Sequence, residues 1–450
     1  MMDTNHERNL VSKMLENQNL RSQYAHFALA TVASLLVFSL YSMVDGFFVS
    51  WGVNEYAMSG VNLAVPYTNV LFSIAVLFAV GTSTIIAIYL GEQKVEQANR
   101  LFSQNIAVLC IISAVVTAVV MLTLPAFTRL LGADEITYGY TFDYLRGLVP
   151  FSACFIISYN LEILIKTDGY PKKAFWTVIS GCICNCILDY VAIFLLDMGT
   201  YGAALATGIS QLLTCCVYLY HFLREKTTFH FTGFKMDFSI YKRLIPLGIP
   251  DGVTEICNGL MIFLFNRTIV RCLGADGLVS YTIIAYTNTV VINCLVGLSQ
   301  AAQPLVSYHY GKKEHDACRK LLKYAMVSAG IFALVIWGLL RMGGGYLIQA
   351  FLGTENSALN AASLSALHRY SLSYLLVGFN IVIGGYLTAR ERPAGSLVIS
   401  VSRGFILQAG ALLILSYSLA GTTIWFAPVI SEILCLGIAA VFLVRSYKHT

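Results

Sequence analysis

Asn185 and Asp189 stand four residues apart in an apolar stretch, so on a helix both side chains project from one face. Gly181 and Ala192 continue that face with small residues, which leaves room for an ion or a water. Counted from the outer turn near Met198 and Gly199, Asp189 lies about ten residues before it and Thr207 about eight after it. At ~1.5 Å per residue these are similar depths on neighbouring antiparallel helices. Asp45 lies seven residues before Gly52, at the outer end of the first apolar run. Two carboxylates, an amide and a hydroxyl can thus converge within the first half of the chain. Such a set suits a hard cation such as Na⁺, or a proton shared between the carboxylates. The competing reading is a set of polar plugs tying helices together. Two acids without a basic neighbour make a poor tie, so the cation reading is preferred.

The remaining ionisable residues inside apolar runs are Glu162, Glu255, Arg403 and Glu432. Glu162 is one helical turn from Lys166, the spacing of an ion pair. Glu255 lies near the middle of its run, where it would attract a cationic substrate, take a proton, or pair with Arg403 at comparable depth. Glu432 is a second partner for Arg403, read as structural. Cys182, Cys184 and Cys186 alternate, but on a helix the middle one points away from the other two. Structural zinc needs four convergent ligands, so these are apolar filler. No cofactor is expected, and no metal beyond Na⁺ at Asp45, Asn185, Asp189 and Thr207. None of the eight histidines falls deep in an apolar run, which argues against a membrane-embedded acyltransferase-type enzyme.

The elements that must position these groups follow from composition. Hydrophobic residues make up 57% of the 450-residue chain and charged residues 12%, with a mean hydropathy of +0.70, so no water-soluble surface can be assembled. Runs of about 20 apolar residues, enough to cross a bilayer, recur from end to end. They fall at 27–50, 60–90, 104–131, 145–166, 174–196 and 202–223, then at 244–269, 277–309, 322–342, 370–388, 395–416 and 422–444. The first of these is too long for the core of a signal peptide and reads as an uncleaved span.

The two sets of six repeat one another. Gly52 followed by Tyr67-Thr68-Asn69 recurs as Gly274 followed by Tyr286-Thr287-Asn288, and Leu131-Gly132, Pro171 and Ile209-Ser210 recur as Leu352-Gly353, Pro393 and Ile430-Ser431. An even number of spans per half makes them parallel repeats, as in transporters built from two related lobes. Expected boundaries are a cytoplasmic tail over 1–25, a first lobe over 26–223, a linker over 224–243, a second lobe over 244–445 and a tail over 446–450. Of 29 lysines and arginines, 22 fall on the side that holds both termini if the N-terminus is inside, against six outside, so both termini are expected in the cytoplasm. This bias accounts for the net charge of +5 and implies no nucleic-acid partner.

Ordered motifs run along this frame. Val44-Asp45-Gly46-Phe47-Phe48-Val49 ends the first span, and Gly81-Thr82-Ser83 through Tyr89-Leu90-Gly91 ends the second. Asp168-Gly169-Tyr170-Pro171, Asn185-Cys186-Ile187-Leu188-Asp189, Gly202-Ala203-Ala204-Leu205-Ala206-Thr207 through Ser210-Gln211, and Gly297-Leu298-Ser299-Gln300-Ala301-Ala302-Gln303 follow. Over nearly its whole length the chain resembles the multidrug and toxic compound extrusion (MATE) family, nearest its prokaryotic DinF-like branch. The resemblance implies an all-α integral membrane fold of twelve transmembrane helices in two six-helix lobes. It also implies antiport of amphipathic, often cationic organic compounds against Na⁺ or H⁺, by a monomer in the bacterial inner (plasma) membrane. In that branch the cation site matches Asp45, Asn185, Asp189 and Thr207. The NorM-like branch uses acids of the seventh and tenth spans; Glu255 matches the first, but Tyr370 to Thr388 contains no acid.

A lipid-linked oligosaccharide flippase of the same superfamily is the related alternative. It would want a cationic cavity for pyrophosphate, whereas Asp45, Glu162, Asp189, Glu255 and Glu432 face only Arg403 as intramembrane base. The chemistry does not follow the repeat: a shift of 222 carries Asp45 to Arg267, Asn185 to Leu407, Asp189 to Ala411 and Thr207 to Val429. A cation site is therefore expected in the first half alone.

Overall fold

The computed structural model describes residues 19–224, 227–353, 356–418 and 421–448. Among these residues, twelve helices are long and apolar enough to span a membrane. They are α1 (Leu20–Gly52), α2 (Tyr56–Gly91), α3 (Val95–Leu122), α4 (Tyr138–Thr167), α5 (Pro171–Leu195) and α6 (Gly199–Leu223) in the first half. In the second half they are α7 (Phe238–Gly274), α8 (Asp276–Gly311), α9 (His315–Leu352), α10 (Ser357–Ala389), α11 (Pro393–Tyr417) and α12 (Gly421–Tyr447). The described residues contain no strand. The fold is the expected all-α membrane architecture of two parallel six-helix repeats. Helix α1 starts at Leu20, earlier than its apolar run, because Asn19 caps it by accepting from the Arg21 N–H at 3.2 Å. Of the N-terminal tail expected over 1–25, residues 1–18 lie outside the described part.

The sequence repeat is written into the turns. Between α2 and α3 Gln93 takes φ 61°, and between α8 and α9 Lys313 takes the same value. After α4 the Tyr170 N–H donates to the Ile165 carbonyl at 3.0 Å and Gly169 has φ 90°. After α10 the Arg392 N–H donates to the Leu387 carbonyl at 2.8 Å, and Glu391 has φ 56°. Each is a helix end closed through one left-handed residue. Pro171 and Pro393 then open α5 and α11 at the first helical position, where a missing N–H costs nothing. Gly274, with φ 69° and ψ −158°, breaks the continuous run of helix from Tyr241 to Gly311 into α7 and α8.

The chain divides into two compact units, Met1–Gly248 with Ser307–Lys313, and Ile249–Val306 with Glu314–Thr450. The start of α7 and the end of α8 thus belong to the first unit. Close backbone approach holds them against α2. A Cβ on Gly248 would collide with the Leu77 carbonyl, and one on Gly311 with the Ile88 carbonyl. Only glycine lets helix backbones approach this far, and in lipid such van der Waals packing replaces the missing hydrophobic drive between helices. The buried core of the first unit runs through Leu71, Ile85, Phe102, Leu145, Ile156 and Leu164.

The segment after α6 is strapped to the first unit. The Thr228 N–H donates to Asp168 Oδ1 at 2.7 Å, the His230 N–H to Asn99 Oδ1 at 2.9 Å, and the Thr232 N–H to Ser103 Oγ at 2.8 Å. Gln104 Nε2 donates to the Asp237 carbonyl at 2.7 Å. Phe229 is fully buried against Phe102 and Phe222. Asp168 is itself buried and accepts from His221 Nε2, 2.9 Å away. Burial holds its carboxyl above the ordinary carboxylate range, in spite of these donors. Side chains on one face of α3 therefore supply the hydrogen bonds that an extended chain would otherwise take from a sheet or from water. Replacing Asp168 by Ala removes the anchor nearest α6. Trypsin cleavage at the exposed Lys235 is expected to accelerate several-fold in Asp168→Ala, followed by mass spectrometry under native conditions; an unchanged rate would show the anchor to be dispensable.

Candidate functional site

Helix α5 carries its buried residues at Pro171, Ala174, Thr177, Gly181, Asn185 and Asp189, a stripe at three- and four-residue steps. This stripe faces α1 and α6, so Asn185 and Asp189 are drawn inward with the apolar residues that precede them. Gly181 borders a cavity of the first unit, and its smallness also lets α6 approach, since a Cβ there would lie 2.5 Å from Thr214 Cγ2. Directly after Asp189 the helix widens into a π-helical segment, Tyr190–Leu195, with the Leu196 N–H bonded to the Val191 carbonyl at 3.0 Å. Such segments re-aim side chains and are frequent beside functional groups.

Asp45, Asn185, Asp189 and Thr207 come together in the first unit. The Asp45 and Asp189 carboxyls lie within hydrogen-bonding reach of one another. Asn185 Nδ2 donates to Thr207 Oγ1 at 3.4 Å. Asp189 is fully buried, Asn185 and Thr207 nearly so, and Asp45 is partly buried with its Oδ1 enclosed. Four oxygens here are buried without a hydrogen-bond partner among the described residues: Asp45 Oδ1, Asn185 Oδ1, and both Oδ1 and Oδ2 of Asp189. Neither acid forms an ion pair with a lysine, arginine or histidine among the described residues. Leaving such oxygens unpaired is expensive, and a bound monovalent cation or shared proton removes the cost. The donor set is oxygen-only, as a hard cation prefers.

Two residues of this cluster were not legible in the sequence. Tyr41 of α1 and Tyr144 of α4 both bring their phenol groups to Thr207 and within electrostatic reach of both carboxylates. Tyr41 is one helical turn from Asp45, which was the available signal; among 26 tyrosines it did not stand out. Tyr41 also lines a cavity of about 60 Å³ in the first unit, with Phe38, Phe72, Phe155, Tyr159 and Tyr218 in its largely apolar wall.

The second unit holds a different arrangement. Glu255 does not stand alone: Asp251, one turn earlier on α7, joins it, and both lie within electrostatic reach of Arg403. Arg403 sits in a second π-helical segment, Ser402–Ile406 of α11. Its Nη1 is 4.0 Å from Glu432 Oε1 on α12. Asn380 of α10 donates to Glu432 Oε2 at 2.6 Å and to the Glu432 carbonyl at 3.1 Å. Arg403 thus faces Glu432 as well as Glu255, and the two options raised by the sequence are both partly realised. Asp251 lies inside the seventh apolar run and shares a face with Glu255; that i, i+4 spacing was the missed signal. No group of three or more His, Cys, Asp or Glu able to hold a metal occurs among the described residues, and all twelve cysteines are free.

The MatE family model matches residues 30–191 and again 250–414, once in each half. The multidrug export protein MepA of Staphylococcus haemolyticus is 23% identical over 439 residues, covering 96% of this chain and 95% of that protein. MepA of Staphylococcus saprophyticus is 22% identical over 424 residues, covering 93% and 92%. Among solved structures, MATE in complex with MaL6 superposes with a TM-score of 0.91 at 19% identity, covering 97% of this chain and 99% of that one. An outward-facing multidrug resistance MATE family transporter of the MOP superfamily gives 0.91 at 19% identity, covering 97% and 98%. At these identities the structures speak to the fold.

Among the described residues Arg403 is the one cation facing Asp251, Glu255 and Glu432, so removing it leaves buried carboxylates uncompensated. Arg403→Leu is expected to destabilise the protein by about 3–5 kcal/mol, read as a lowered thermal unfolding midpoint in detergent. Adding Glu432→Gln should restore part of that loss, because Asn380 can still donate to the new amide oxygen. A double variant no more stable than Arg403→Leu would show the two groups to be energetically independent.

Proposed function

The chain belongs to the MatE family, whose members are membrane transporters and not enzymes, and from that premise we propose that it is a secondary antiporter exporting amphipathic, often cationic organic compounds. The coupling cation, Na⁺ or H⁺, occupies the cluster of Asp45, Asn185, Asp189 and Thr207. The substrate class is supported by full-length similarity to relatives named for multidrug export, and by the excess of buried acids over bases. The coupling role is supported by one observation above others: four buried oxygens at Asp45, Asn185 and Asp189 have no partner among the described residues. The first-lobe set is also the one implied by resemblance to the DinF-like branch. Glu255, with Asp251, is the second-lobe group proposed to meet a cationic substrate or a proton.

Coupling requires that cation and substrate favour different states of the transporter, since a ligand with equal affinity for both shifts nothing. The π-helical segment after Asp189 supplies a place for that difference. Cation binding satisfies the Asp189 oxygens and fixes the end of α5. Without the cation, the repulsion between the two carboxylates drives α1 and α5 apart. The protein is proposed to act as a monomer in the plasma membrane with both termini in the cytoplasm.

Efflux from proteoliposomes under an imposed Na⁺ gradient and, separately, an imposed pH gradient tests the reading. Asp189→Asn is expected to lose gradient-driven efflux by at least tenfold while still folding, because the amide keeps the shape and removes the charge. Retained gradient-driven efflux in this variant would end the coupling role. For Asp45→Asn, loss of cation dependence at an unchanged unfolding midpoint is expected; a protein that merely unfolds would instead support a structural tie.

A further inference from the structure

Arg403 of the second unit is a guanidinium set among the carboxyls of Asp251, Glu255 and Glu432, yet its donors are not spent on them. Its Nη1 stands 4.0 Å from Glu432 Oε1, with the two side chains 13% and 9% exposed. A seated arginine–carboxylate pair closes to ~2.7–2.9 Å and is frequently bidentate. Among the described residues the guanidinium donates no hydrogen bond, which leaves its fork of N–H groups open. Asp251 and Glu255 likewise accept no hydrogen bond through their side chains among the described residues. A counter-ion serving structure alone would be seated, as Lys166 is on Glu162 at 2.6 Å.

The backbone brings these groups to one patch. Asp251 and Glu255 stand one helical turn apart on α7. A Cβ on Gly404 would lie 3.1 Å from Cys257 Cβ, so the π-helical segment that carries Arg403 packs on α7 beside that turn. On α12, Glu432 is held by Asn380, which donates to its Oε2 at 2.6 Å and to its carbonyl at 3.1 Å. The Oδ1 of the same amide is buried without a partner among the described residues, a further open acceptor beside this carboxyl. Glu432 is thereby fixed, and Arg403 faces it without closing on it.

Open donors and open acceptors in one patch suit a ligand that carries both signs of charge. We propose that Arg403 contacts substrate and sets its charge class. The cationic group of the substrate lies against Asp251 and Glu255, and an anionic group on the same molecule takes the Arg403 fork. The planar guanidinium matches a carboxylate in a way that a point charge does not. A ligand with a cation alone meets Arg403 as a like charge, and one with an anion alone meets the acids, so both are disfavoured. The second unit therefore binds a zwitterionic amphiphile more tightly than a cation of the same skeleton. The proposal rests on the reading of Glu255 and Asp251 as the group that meets substrate.

Rhodamine B, a zwitterion through its free carboxylate, and its ethyl ester, a cation of the same skeleton, form the test pair. Binding of each to the purified protein in detergent is read by fluorescence anisotropy. The acid is expected to bind about fivefold more tightly, although the added apolar surface of the ethyl group by itself favours the ester. Arg403→Lys keeps the charge beside Glu432 and removes the fork. It is expected to weaken the acid about fivefold and to move the ester less than about twofold. Arg403→Gln combined with Glu432→Gln removes one charge of each sign, and there the preference for the acid should vanish. An arginine of purely structural role would weaken both dyes together or neither. Ester bound as tightly as acid by the unaltered protein, or an acid-to-ester ratio unchanged in both variants, would overturn the assignment. If neither variant folds, the ratio in the unaltered protein decides. The premise fails separately: both dyes bound as before by Glu255→Gln would show that substrate does not meet this group.

Discussion

Two carboxylates facing each other inside a lipid-embedded helical bundle, with no basic partner among the described residues, are the constraint on which the first unit turns. An ionised side chain in such surroundings is costly, and two of like sign at hydrogen-bonding distance are costlier still. A structural role would be served better by an acid and a base, as α4 shows with Glu162 and Lys166. On the proposed reading, the Asp45–Asp189 pair is stable only when something positive sits with it. That dependence is what a coupled transporter requires, because the energy of filling the site becomes available to bias its conformation.

The surroundings keep this unfavourable pair in place. The regular buried stripe of α5 ends at Asp189 and gives way to π-helix in the next residue, so regular helix precedes the pair along α5 and an irregular backbone follows it. The second unit uses the same device differently: its π-helical segment carries Arg403, a fixed positive charge, among Asp251, Glu255 and Glu432. One unit has a pair of buried acids with no ion pair to a lysine, arginine or histidine among the described residues, whereas the other sets Arg403 among its acids. Duplication conserved turns and helix ends closely enough that Gln93 and Lys313 share a φ of 61°, but it did not conserve charge.

What could be read from the sequence divides along physical lines. Twelve spans follow from apolar runs because in lipid a helix is the only open-chain structure that satisfies its own backbone. The meeting of Asp45, Asn185, Asp189 and Thr207 follows from depth, since residues equally far from a turn stand level on straight antiparallel helices. Tyr41 and Tyr144 escaped because tyrosine is abundant and its position in a helix does not reveal which way its hydroxyl is drawn. Asp251 escaped although its spacing to Glu255 marked it. The strap over 228–237 was illegible for a different reason: hydrogen bonds from backbone N–H groups to Asn99, Ser103 and Asp168 leave no periodic trace. The π-helical segments leave none either, since one additional residue in a turn does not change composition.

The central claim is that a monovalent cation occupies the Asp45–Asp189 pair. Infrared difference spectroscopy of the purified protein in lipid, recorded on Na⁺ addition and on a pH step, reads carboxyl protonation and ligation directly. The account predicts a carboxyl band that responds to one of these two changes and is lost in both Asp45→Asn and Asp189→Asn, with the Glu255→Gln spectrum retaining it. A band that persists in both first-lobe variants, or that disappears only with Glu255→Gln, would place the cation elsewhere and contradict the account.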